Sequence, residues 1–70
     1  MTDLQDMTVP RKTVLGRRLT AMRKRLGLTQ AHVAEKIGAS TRSWNGWERG
    51  EEKPSKPFLI LIDLLDQGKL

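Results

Sequence analysis

Cysteine and tyrosine are absent from this 70-residue chain, and histidine and phenylalanine occur once each. Without Cys there is no disulfide, no thiolate nucleophile and no Cys-based zinc site. The lone His32 leaves a histidine-based metal site without a second imidazole, so no metal or other cofactor is expected. No apolar run reaches the roughly 20 residues of a membrane-spanning helix, and the N-terminus lacks an apolar signal core. A soluble, cytoplasmic chain with no membrane partner is expected. No nucleophile–base pair can be assembled from what remains, and so short a chain has little interior for a small-molecule pocket. An enzyme is therefore not expected. Negative charge is also scarce: 13 Lys and Arg oppose 8 Asp and Glu, a net +5, with a pI of about 10.3. That balance favours a polyanionic partner.

The positive charge is concentrated. Residues 11 to 25 contain Arg11, Lys12, Arg17, Arg18, Arg23, Lys24 and Arg25 and no acid, whereas the ten residues before them carry Asp3 and Asp6 and no base. A solvated helix face is the plain alternative, but a basic block with no local neutralisation fits a phosphate-facing surface better. Residues 1–12, with Pro10 and little apolar content, read as a flexible N-terminal arm. Residues 13–70 read as one domain.

Within that domain the apolar spacing predicts four helices and no strand pair. Leu15, Leu19, Met22 and Leu26 form one stripe between a Thr13 cap and Gly27. Thr29 caps a second helix, carrying Ala31, Val33, Ala34 and Ile37, that stops at Gly38. Ser40 caps a third, with Trp44 and Trp47 three apart, that stops at Gly50. Ser55 caps a fourth, with Pro57 in its first turn, a main stripe of Phe58, Leu61, Ile62 and Leu65, and Gly68 at its end. Ile60 and Leu64 lie off that stripe, which marks a second apolar face suited to another copy of the chain. The expected fold class is all-α, a compact bundle of four or five short helices.

Two short helices joined by Gly38-Ala39 describe a helix-turn-helix, whose second member enters the DNA major groove. Here Arg23-x-x-x-Gly27-Leu28-Thr29-Gln30-x-x-x-Ala34-x-x-x-Gly38-x-Ser40, followed by Trp47-Glu48-Arg49-Gly50, resembles the Cro/phage-repressor (XRE) helix-turn-helix family. The likeness runs from about Val14 to Gln67. Pro54-Ser55-x-Pro57 with Leu61-Ile62-x-Leu64-Leu65 is further similar to DNA-binding antitoxins of the HigA/MqsA kind.

The resemblance implies a lambda-repressor-like domain that binds double-stranded DNA, without a small-molecule ligand, and represses transcription as a homodimer on a palindromic operator. Its alternative implication is an antitoxin that holds a toxin protein and autoregulates its operon. The family's base-facing positions fall on Thr41, Arg42, Asn45 and Gly46. An Arg42 fork can grip guanine O6 and N7, Thr41 can touch a thymine methyl, and Asn45 fits adenine. Gly46 departs from the family, which commonly has a long polar side chain there. Either the backbone approaches the groove closely at that point or the position reads nothing. Phosphate contacts are implied for Gln30, Ser40, Ser43, Arg49, Lys53, Arg17 and Arg18, with Arg11 and Lys12 as weaker ones. Arg23 and Glu48 resemble the family's buried salt bridge. The two indoles belong to the core rather than to base stacking, and His32 should face solvent. Many relatives carry a fifth helix that completes the dimer; with none expected before Leu70, dimerisation should rely on helix four, where Ile60 and Leu64 are the expected interface, on the tail, or on DNA itself.

Overall fold

The computed structural model describes residues 13–70; the expected arm, with Arg11 and Lys12, lies outside them. Four helices follow in order: α1 (Val14–Arg25), α2 (Gln30–Ile37), α3 (Thr41–Arg49) and α4 (Lys56–Asp66), and there is no strand among the described residues. Their boundaries have local causes. The hydroxyls of Thr13, Thr29 and Ser40 accept from the backbone N–H groups of Gly16, His32 and Ser43, each three residues on, so each helix starts with one orphan donor satisfied. Gly38 and Gly50 end α2 and α3 in the left-handed conformation at φ 77° and 80°, which a side chain would resist.

The fourth cap differs from expectation. Ser55 has the extended backbone of an N-cap, but its side chain makes no capping bond. Pro57 stands at the second helical position and has no N–H to give, which removes one of the two donors an N-cap oxygen ordinarily takes.

Leu19 and Met22 of α1, Val33, Ala34 and Ile37 of α2, Trp44 and Trp47 of α3, and Ile62 and Leu65 of α4 form a single core, with Leu15, Leu26, Phe58 and Leu61 packed on its margin. Trp44 is fully buried and Trp47 nearly so. Their rings meet edge-on at 5.8 Å between centroids, and Trp47 meets Phe58 of α4 at 5.3 Å. This chain of rings joins α3 to α4, and such aromatic pairs contribute about 0.5–1.5 kcal/mol each beyond their buried area.

Helix α1 lies very close to the end of α3. The Gly16 position is the reason: a Cβ there would sit 2.4 Å from the Glu48 carbonyl oxygen and 3.0 Å from that of Trp47. On the other side, Arg25 of α1 pairs with the Asp66 carboxylate and reaches the Asp66 carbonyl at 3.4 Å, at the end of α4. Both partners are largely exposed, so this pair adds little stability.

Candidate nucleic-acid interface

The Gly38-Ala39 turn joins α2 to α3, and both helices contribute side chains to the core. On α3 the residue types divide by side. Trp44, Trp47 and Glu48 are buried, whereas Thr41, Arg42 and Arg49 are exposed and Asn45 is half-buried. Both indoles therefore lie behind the helix, and the Arg42 side lies in front of it. His32 is exposed on α2.

Glu48 is the hub behind that face. Arg23 of α1 donates to it twice, Nε to Oε2 at 2.6 Å and Nη2 to Oε1 at 3.3 Å, and also donates to the Leu28 carbonyl at 3.1 Å. Trp44 Nε1 donates to Oε2, and Gln30 Nε2 donates to Oε1 at 3.1 Å. Burial alone would raise the Glu48 carboxyl. The hydrogen bonds from Arg23, Trp44 and Gln30 outweigh it and hold the group below its ordinary value, so it stays ionised. One carboxylate thus ties α1, α2 and α3 into a fixed relative placement.

The remaining expected contact residues separate into groups. Ser40 is exposed and Ser43 half-buried at the start of α3, and the Ser40 hydroxyl donates to that of Ser43 at 3.0 Å. Lys53 is exposed just beyond α3. Arg49 pairs with Glu51 at 3.1 Å, an exposed contact that a phosphate could displace at little cost. Arg17 is exposed on α1. Arg18 instead lines a groove of about 200 Å³ between α1 and α4, with Leu15, Leu59, Asp63 and Asp66 among its neighbours. Two carboxylates beside it make that a poor seat for phosphate.

Gln30 and Gly46 are both engaged within the protein. The Gln30 amide faces inward: its Nε2 donates both to Glu48 and, at 3.3 Å, to Asn45 Oδ1. With both amide hydrogens used, the side chain has none for a phosphate. Its backbone N–H, at the first position of α2, is the group still suited to one. Gly46 is buried. Its carbonyl accepts from the N–H groups of Glu51 at 2.9 Å and Glu52 at 3.3 Å. The loop so folded brings the Glu52 side chain to 3.4 Å from where a Cβ would project. A long side chain would have to displace that acid.

A family model described as Helix-turn-helix domain matches residues 14–65, which is most of the chain. The chain belongs to the helix-turn-helix domain family. The match covers all four helices almost completely, and it agrees with the resemblance to Cro-like repressors without resolving a branch. No curated protein and no solved structure gives a significant match. Membership in this helix-turn-helix family makes the protein a DNA-binding regulator by family. Among the described residues no helix is long and apolar enough to cross a membrane.

Three features of the site were missed at the level of sequence. The Trp44–Glu48 hydrogen bond had a signal, since residues four apart on a helix face each other. The close approach at Gly16 also had one, a glycine placed inside an otherwise regular helical stripe. The Gln30–Asn45 contact had none, because it depends on how α2 and α3 cross.

Proposed function

We propose that the protein is a sequence-specific transcriptional repressor that binds a palindromic operator as a homodimer, with α3 in the major groove. The observation that carries this is the division of α3: both indoles are buried while Thr41 and Arg42 are exposed. A helix presenting a guanidinium and a hydroxyl to solvent, braced from behind by a buried ion pair, is built for base contact rather than for packing. Arg42 is the principal reader and grips a guanine; Thr41 and Asn45 read its neighbours. Gly46 is left out of the reading set because Glu52 covers it. Ser40, Lys53, Arg49, Arg17 and the Gln30 backbone N–H supply phosphate contacts, which set register without reading sequence. Arg18, beside Asp63 and Asp66, is left out of these.

The dimer reading is supported by α4, where Leu59 and Ile60 are 40% and 54% exposed. Leu64, expected beside Ile60, is half-buried, so Ile60 is the stronger contact of the two. Two copies would place their α3 helices in successive major grooves about 34 Å apart.

Selection of bound duplexes from a random pool at physiological salt tests the reading. The expected result is one inverted-repeat motif. Arg42→Ala should flatten a single guanine position in each half-site, a loss of about 1–3 kcal/mol of discrimination. Failure to enrich any motif would overturn sequence-specific binding, and a motif indifferent to Arg42 would overturn the assignment of the reader.

A further inference from the structure

Polarity along the chain of side chains from Glu48 to Asn45 has a direction. An ionised carboxylate can only accept hydrogen bonds. Glu48 already accepts two hydrogen bonds from Arg23 and one from Trp44, and because it can only accept, the Gln30 amide must turn its NH2 group, not its carbonyl, toward it. The second hydrogen of that same nitrogen goes to Asn45 Oδ1 at 3.3 Å. Asn45 in turn must offer its carbonyl to Gln30. Among the described residues its Nδ2 has no partner and no buried side-chain nitrogen or oxygen lacks one, so Nδ2 is open to solvent. Asn45 is half-buried on α3, one turn after Arg42 and Thr41, and this open nitrogen is what it presents.

Resting on the reading of α3 as the recognition helix, we propose that Glu48, acting through Gln30, fixes Asn45 as a hydrogen-bond donor toward DNA, so that Asn45 selects guanine over adenine at its base pair. A freely rotating asparagine amide suits adenine, offering its oxygen to N6–H and its nitrogen to N7. Here the carbonyl that an adenine contact needs is turned toward Gln30 and held there. Two N–H groups on one nitrogen remain, and guanine is the base that sets two acceptors, N7 and O6, side by side in the major groove. Asn45 is the residue that touches the base. Gln30 and Glu48 are positioning residues, and the polarity of the contact originates at Glu48, behind the helix.

The test is duplex selection with the wild type, Asn45→Ala, Gln30→Met and Asn45→Asp, alongside thermal melting to confirm folding. The wild type should enrich guanine at one position per half-site beyond the one that depends on Arg42, and Asn45→Ala should flatten it. Gln30→Met keeps the length and removes the amide. It should shift the guanine-to-adenine ratio at that position about tenfold toward adenine while every other position holds. Asn45→Asp presents acceptors in place of donors and should turn the preference to cytosine; this arm does not depend on how a Gln30 variant folds. Adenine preferred by the wild type, a ratio unmoved by Gln30→Met, or a guanine preference surviving Asn45→Asp would each overturn the proposal. In all three cases a persisting Arg42-dependent position would leave the reading of α3 intact. Loss of every motif in the wild type would overturn both together.

Discussion

A methyl group added at Gly16 would lie 2.4 Å from the Glu48 carbonyl oxygen and 3.0 Å from that of Trp47, and both atoms belong to the backbone of α3, which cannot swing aside. At Gly46 the nearest atoms belong to the Glu52 side chain, at 3.4 Å, an ordinary contact with a flexible neighbour. Alanine is intrinsically better than glycine inside a helix by about 1 kcal/mol, so the two positions should respond with opposite sign. Gly16→Ala is expected to lose about 1–3 kcal/mol, because α1 must back away from α3 and loosen the core. Gly46→Ala should gain up to about 1 kcal/mol. Urea unfolding of the two variants checks both, and a stabilised Gly16→Ala would mean that α1 and α3 are farther apart than described. The same pair shows what single residues disclose in a sequence. A glycine within a helix stands out as unusual, but whether it marks a close helix crossing or a loop folding over it depends on neighbours far along the chain.

Helix ends were legible for a related reason. Thr13, Thr29 and Ser40 act through donors three residues away, and Gly38 and Gly50 act through their own backbone, so all the necessary chemistry is local. Ser55 misled because its neighbour Pro57, read as a favourable first-turn residue, also removes a donor. The Arg23–Glu48 pair is 25 residues apart, and only likeness to a family pointed to it. Its energetic consequence belongs to three helices at once. The two side chains are 15% and 7% exposed, so breaking the pair leaves a poorly hydrated charge, and Glu48→Gln should cost about 3 kcal/mol at pH 7. The pH dependence has a definite sign. Because the folded carboxyl is held below its ordinary value of 4.5, the stability it contributes is fully present above that value and fades as pH falls through the lower, folded one. Thermal melting from pH 7 to pH 2 should therefore bring wild type and Glu48→Gln together in acid. A gap that stays constant across that range would show that Glu48 is not held ionised by its donors.

At the scale of the molecule, α3, the proposed recognition helix, has nine residues and on that proposal would present only three or four side chains to bases, so one copy would read a short half-site. Two copies joined together convert the second half-site into an effectively intramolecular contact, which multiplies affinity without any new residue at the DNA surface. The apolar face of α4 is the place where that joining can occur: Ile60 is more than half exposed while Ile62 and Leu65, on the opposite side of the same helix, are buried. A lysine at Leu64 would intrude on packing, since that residue is half-buried, so Ile60→Lys is the cleaner probe. It should leave the melting of the monomer within about 0.5 kcal/mol of the parent, as exposed substitutions usually do. Sedimentation should report self-association weakened at least about tenfold, since the charge must be desolvated to form the contact. On DNA the variant should bind a duplex carrying a single half-site as well as the parent does and lose only the advantage of the second half-site. Equal losses on both duplexes would move Ile60 from the contact between copies to the DNA surface itself, and unchanged sedimentation would remove it from the dimer altogether.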